Sequence, residues 1–254
     1  EYTCTGNSLT EKVSGNQTHS YYPGTRLLQY TDLTLATNGG SQNTRRIKSL
    51  AYDGLGRMSS LTRNGNAGTT SYSYDVHGWL TGLTGKGFRE ALHYADGTGT
   101  PCYNGNISSQ LWKTDNYYRW QGYTFTYDRH DRLAGAEYGE NESLGTDVHH
   151  YDEKVLEYTA NGAIKRLQRW GIKDDGVYGK IDNLSLSYDG NLLKKVTDDA
   201  VGIHYTGAFD FVDGADLETE YTYNGNGAMT SDANKGIASI EYDNLNHPKR
   251  IQFT

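Results

Sequence analysis

Basic charge, cysteine, proline and long apolar runs are all scarce in this chain, and each scarcity excludes something. Lys and Arg number 24 against 31 Asp and Glu, a formal charge of −7. The chain therefore lacks the basic surplus with which nucleic-acid binders displace counterions from phosphates. Its apolar stretches run for a few residues, short of the roughly 20 that a membrane helix needs, so no membrane-spanning segment is expected. Glu1 opens no signal peptide, and the chain reads as a piece of something longer. Cys4 and Cys102 are the two cysteines. They make neither a disulfide scaffold nor a structural zinc site, which takes four clustered ligands; whether they pair stays open. Ala-, Leu- and Glu-rich helical stretches are missing too, and Pro occurs 3 times and Met 2.

What the chain has instead is 22 Tyr and 31 Gly. Tyr fits a half-buried pleated surface, and Gly tolerates the left-handed backbone of tight turns. The mean hydropathy of −0.77 is low for a folded chain, whereas the aromatic share of 12% argues against disorder. An all-β protein with a thin, Tyr-rich core reconciles the two.

Self-similarity carries most of the information. The segment Tyr52-Asp53-Gly54-Leu55-Gly56-Arg57-Met58 recurs from Tyr74 to Leu80, Tyr127 to Leu133, Tyr158 to Ile164, Tyr223 to Met229 and Tyr242 to Pro248. Two copies, beginning at Tyr103 and Tyr188, are one residue shorter. Marker tyrosines are spaced 22, 29, 24, 31, 30, 35 and 19 residues apart, which suits a hairpin unit with connections of varying length. An apolar or aromatic residue precedes the marker Tyr by two in seven of the eight copies, with Pro101 the exception; that is strand alternation.

After the Tyr, an Asp or Asn such as Asp53, Asp75, Asp128 or Asp243 can accept a hydrogen bond from the backbone two residues on and start a turn. Three residues later comes Gly56, Gly78, Gly162 or Gly227, expected at positive φ where the chain leaves the turn through a bulge. Asp131 and Asn246 stand at that position in two copies and tolerate the conformation better than most residues. The shortened copies carry Asn104-Gly105 and Asp189-Gly190, two-residue hairpin signals. Return strands resume with Met58, Leu80, Leu133, Ile164 and Met229, on the face opposite Arg57, Trp79 and Arg132. A lone hairpin is marginal in water, so the units must pair edge to edge. The expected fold is all-β: repeated hairpins forming a continuous, curved, spiralling antiparallel sheet. Residues 47–254 hold the eight repeats and residues 1–46 a divergent N-terminal β unit, with no linker dividing the whole.

The pattern Tyr-Asp-x-x-Gly-Arg followed by an apolar residue resembles the YD repeat of the Rhs proteins, the related toxin-complex components and the teneurins. The resemblance covers residues 47–254. It implies a wall segment of a hollow shell in a large bacterial protein, secreted or on the cell surface, whose partners are the rest of the parent chain and an enclosed C-terminal toxin domain. It implies a structural role without catalysis and without a cofactor. The Asp-Pro-x-Gly-Arg motif of the self-cleaving Rhs core is missing, since Pro23, Pro101 and Pro248 follow Tyr, Thr and His, so autoproteolysis is not carried over to any residue here.

Candidate chemistry outside the repeats is sparse. His149, His150, Asp152 and Glu153 form the densest group of potential ligands, and on a strand His150 and Asp152 would share a side; no further ligand follows from spacing, so no metal site is assigned. The acidic pairs Asp174-Asp175 and Asp198-Asp199 read as solvated loops rather than a glycosidase couple. Trp112, Trp120 and Trp170 fall outside the repeat register and are the candidates for stacking on sugar rings, which makes a carbohydrate-binding or adhesion module the alternative reading.

Overall fold

The computed structural model describes residues 2–6, 9–37, 40, 42–64, 68–203 and 209–254, with the side chains of 2–6, 9–13 and 37 left aside. Among these residues there are nineteen strands and no helix. The chain divides into two compact units, one comprising residues 1–93 with 110–120 and the other 94–109 with 121–254; the division does not fall at residue 46.

The first unit contains β1 (Tyr2–Gly6), β2 (Leu9–Tyr21), β3 (Leu28–Thr37), β4 (Asn43–Tyr52), β5 (Met58–Arg63), β6 (Gly68–Tyr74), β7 (Leu80–Gly85) and β8 (Phe88–His93). It also holds nearly all of β9 (Ser109–Thr114) and the opening of β10 (Tyr117–Tyr127). The second unit contains the remainder of β10, then β11 (Leu133–Glu140), β12 (Glu153–Tyr158), β13 (Ile164–Ile172), β14 (Tyr178–Asp189) and β15 (Leu192–Asp198). It ends with β16 (Tyr221–Tyr223), β17 (Met229–Asp232), β18 (Ile237–Tyr242) and β19 (Pro248–Phe253). In each unit strands hydrogen-bond only to neighbours in chain order, with β15 and β16 left unpaired with each other, and the sheets are open.

Alternation builds these strands. Along β6, Thr70, Tyr72 and Tyr74 are half-buried while Thr69, Ser71 and Ser73 are exposed, so a period of two sends one side chain type to each face. The expected bulge is present in every full copy. Ala51 faces Ser60 but Tyr52 faces Met58, which leaves Ser59 without an opposite residue. The same slip occurs at Tyr74, Tyr127, Tyr158, Tyr223 and Tyr242.

Two features depart from the expected continuous run of hairpins. The copy beginning at Tyr103 is not a hairpin: residues 94–108 contain no strand. Pro101 has no N–H to give a ladder, and the segment folds on itself instead, with the Cys102 amide on the Tyr94 carbonyl and the Ser108 hydroxyl on the Asp96 carbonyl. Gly99 passes so close to Ser108 that an added Cβ would sit 2.1 Å from its carbonyl oxygen. The second departure follows β15. The described part of residues 199–220 has no strand, and β16–β19 form a sheet of their own.

The core is thin, as the composition requires. Leu184, Val196 and Tyr221 are buried together, with Leu167, Leu186, Leu193 and Phe211 against them. Glu220 is buried beside this group, its Oε2 accepting from the Val196 amide and the Asn234 side chain. Those bonds offset part of the cost of burying the carboxylate, whose Oε1 has no hydrogen-bond partner.

Candidate functional site

The repeated corner is a small hydrogen-bonded device centred on one carboxylate. Asp53 Oδ1 accepts from the amides of Leu55 and Arg57, both at 2.9 Å. Its own amide donates to the Arg57 carbonyl and its carbonyl accepts from Gly56, so five residues close on a single side chain. Asp75, Asp128, Asn224 and Asp243 repeat both side-chain bonds. Thr159 supplies the hydroxyl equivalent to the Ala163 amide. The backbone then turns left-handed at Gly56, Gly78, Gly162 and Gly227, and at Asp131 and Asn246 where Gly is replaced. The shortened copy is tighter still. Asp189 pairs with Leu192, leaving Gly190 and Asn191 as a two-residue loop.

Hydrogen bonds to the charged form hold these carboxyls below their ordinary range. For Asp53 the Arg57 amide and guanidinium dominate. Asp75 is lowered because bonds from His77 and Trp79 outweigh its partial desolvation. Asp128 is lowered to about 2, chiefly by the Arg132 side chain. Arg57 and Arg132 each place Nε 2.7 Å from that carboxylate. Each also lies over the next marker ring, Arg57 at 4.7 Å from the centre of Tyr74 and Arg132 at 4.2 Å from that of Tyr158. The corner of one repeat thus grips the tyrosine of its successor.

The marker tyrosines have a second, shared task. Tyr52 donates its hydroxyl to the Leu28 carbonyl, Tyr74 to Met58, Tyr127 to Ile107, Tyr158 to Leu133, Tyr188 to Ile164, Tyr223 to Leu193 and Tyr242 to Met229. Apart from Ile107, which lies in the strandless segment 94–108, each acceptor is the first or second residue of the preceding return strand. Partial burial raises the phenols of Tyr127, Tyr158, Tyr188 and Tyr223, which keeps them protonated as donors. Tyr103 is the exception at 80% exposed.

In the second unit a rung of charges crosses three strands. Glu153 on β12 faces Arg169 on β13, which faces Asp182 on β14. Arg169 Nε lies 2.7 Å from Oδ2 of the fully buried Asp182, and Nη2 donates to the Phe209 carbonyl at 3.0 Å. Carboxylate oxygens of Asp182, Asp198 and Asp210 fall within 4.8 Å of one another; the positive charge placed among them is Arg169. Beside this rung lies a cavity of about 390 Å³ lined by Tyr123, Tyr151, Glu153, Arg169 and Phe209, with Gly171 and Ile181 among its apolar wall. Tyr123 donates to the Tyr151 carbonyl, and burial together with the Glu153 and Asp152 charges pushes its phenol up to about 12.

The chain has structural neighbours among toxin-complex proteins. It is similar to TcdB2-TccC3 without its hypervariable C-terminal region, at 15% identity and a TM-score of 0.37 over 93% of this chain and 15% of that one. It is also similar to TcdB2-TccC3-Cdc42 and to the Photorhabdus luminescens Tc holotoxin pore, each at 13% identity and a TM-score of 0.23 over 93% of this chain and 17% of theirs. The chain thus spans a small part of the length of these neighbours. No family model matches it, and no curated protein matches it.

The other candidates from sequence fall in different places. His150 and Asp152 do not share a strand side, because β12 begins at Glu153 and residues 147–151 form turns with His149 at positive φ. His149, not His150, meets Asp152, Nδ1 to Oδ2 at 2.8 Å, while His150 stacks on Tyr178 with centroids 3.6 Å apart. Asp174 and Asp175 lie in a further corner of the repeated type, with Gly176 at positive φ and the Val177 amide on Asp175; an Asp-Gly pair was its available signal. Trp120 has the Lys113 ammonium over its ring, and Trp170 has Lys154 and Lys180 near it and is among the residues lining the cavity beside Arg169. Trp112 lies on β9. Cys102 is a free thiol directed at the Thr100 carbonyl, and the Cys4 side chain lies outside the described residues. The Glu153-Arg169-Asp182 rung had no sequence signal, since its members are 16 and 13 positions apart on strands whose register is set by bulges.

Proposed function

We propose that this chain is a non-enzymatic wall segment of a large YD-type repeat protein, secreted or displayed on the bacterial surface, and that the complete wall encloses a C-terminal toxin or effector domain. The observation that carries the reading is the ladder of tyrosine hydroxyls on preceding carbonyls. The residue types that define the repeat are spent on joining one hairpin to its neighbour, which is what a wall requires and what a catalytic site does not. The pattern's likeness to Rhs and toxin-complex repeats supplies the enclosed cargo and the extracytoplasmic setting. Limited proteolysis of the parent protein with a tagged C-terminal end tests it. Enclosure predicts a tag that resists protease until the wall is unfolded with denaturant, whereas a tag cleaved at the rate of an isolated peptide would refute enclosure.

A further inference from the structure

None of the residues lining the cavity beside Glu153 and Arg169 is a marker tyrosine of the ladder, and the chemistry of the cavity suits a ligand. Glu153 and Arg169 are cross-strand partners, so their side chains leave the same face. One step along β13 on that face is Gly171, paired with Gly179 on β14. Gly171 carries no side chain there, and Ile181 takes that place, 3.0 Å from where a Cβ would sit, as part of the apolar wall of the cavity. Tyr123, Tyr151 and Phe209 wall it, and Phe209 is 82% exposed.

The charge arrangement selects the class of ligand. Asp182 is fully buried against Arg169 and answers its charge, so the site offers an anion no net attraction. Glu153 is exposed, so water screens its charge and an organic cation gains little beside it. What remains is an acceptor carboxylate and a fork with five N–H donors, two of whose nitrogens are held by Asp182 and the Phe209 carbonyl. Neutral ligands with adjacent hydroxyl groups on one edge and an apolar face on the other use all of these at once. The volume of about 390 Å³ lies at the small end of ligand cavities, suited to one or two sugar rings.

We propose that this cavity binds a neutral pyranose saccharide, its hydroxyls on Glu153 and Arg169 and its ring face on Tyr151 and Phe209. The inference stands apart from the shell reading and does not depend on it. Of the three tryptophans singled out in the sequence, Trp170 also lines the cavity, whereas Trp112 lies on β9 outside it. Saturation-transfer NMR on the full chain, followed by titration, tests it with lactose, cellobiose and N-acetylglucosamine as probes and glucuronate and choline as charged comparators. At least one neutral sugar should bind, and Glu153→Ala and Tyr151→Ala should each weaken it about tenfold or more, with Trp112→Ala unchanged. Glu153 is exposed, so its variant should keep the parent circular dichroism spectrum, which separates lost binding from lost fold. Absence of binding to every sugar, a preference for glucuronate or choline, or binding that survives both cavity variants would overturn the assignment.

Discussion

A single hydroxyl group separates Tyr from Phe, and the marker positions make that difference measurable. Tyr74→Phe keeps the ring under Arg57 and removes only the bond to the Met58 carbonyl. The expected loss is about 1 kcal/mol, the net worth of one hydrogen bond. Tyr103→Phe should leave stability unchanged, because that ring is exposed. Equal effects in the two variants, read from denaturant midpoints, would remove the ladder as a source of stability. The corner carboxylates make a second residue-level prediction. Asp53, Asp75, Asp128 and Asp243 are all lowered in the folded chain. A depressed folded value stabilises above the unfolded value and is lost as pH falls through the folded one. Stability should therefore fall as the pH drops from the ordinary 3.8 toward the value of about 2 held by Asp128. Asp128→Asn keeps an oxygen acceptor, as Asn224 does in its own copy, but cannot titrate; it should flatten part of that acid slope. An unchanged slope in thermal melts between pH 5 and pH 2, a window taken from the ordinary and shifted carboxyl values, would contradict this.

Strands and corners were the legible scale. The Tyr-to-Gly spacing contained the turn, its capping Asp and its left-handed residue, because all three are local and the same few residues repeat the bonds. Gly56 tests the point cleanly. Its φ is +80° and no atom lies within 4 Å of an added Cβ, so Gly56→Val meets backbone strain rather than a clash, and about 1–3 kcal/mol should be lost. Asn246→Gly, at φ +62°, relieves that strain and should hold or raise the melting temperature; a fall as large as that of Gly56→Val would show that the corner is not limited by its left-handed residue. What the sequence concealed was non-local. Asn104-Gly105 is as good a hairpin signal as Asp189-Gly190, yet only the second became a hairpin, because Pro101 and the close passage of Gly99 past Ser108 withdraw the first from the sheet. Glu153, Arg169 and Asp182 meet only once bulges have set the register between their strands. No window of sequence contains that information.

At the scale of the whole molecule, strict chain order has an energetic consequence. Within each unit a strand hydrogen-bonds only to its predecessor and successor in the chain, and the buried apolar groups are few. Stability is then a sum of hairpin terms and nearest-neighbour terms, as in a linear array, rather than the property of one deep core. Damage should stay local. Tyr158→Phe breaks the bond to the Leu133 carbonyl, joining the hairpin of β12 and β13 to β11. Amide exchange should quicken in β11, β12 and β13, while β18 and β19, joined to other partners, keep their protection. A deep cooperative core would instead raise exchange in every strand of the unit by a common factor, since each amide would then exchange through the same global opening. Native-state hydrogen exchange on the parent and the variant distinguishes the two patterns, and a uniform change across the second unit would reject the linear description. The local pattern is also the one a wall needs: each hairpin must hold to its neighbours alone, so that the number of repeats can vary without a core to redesign.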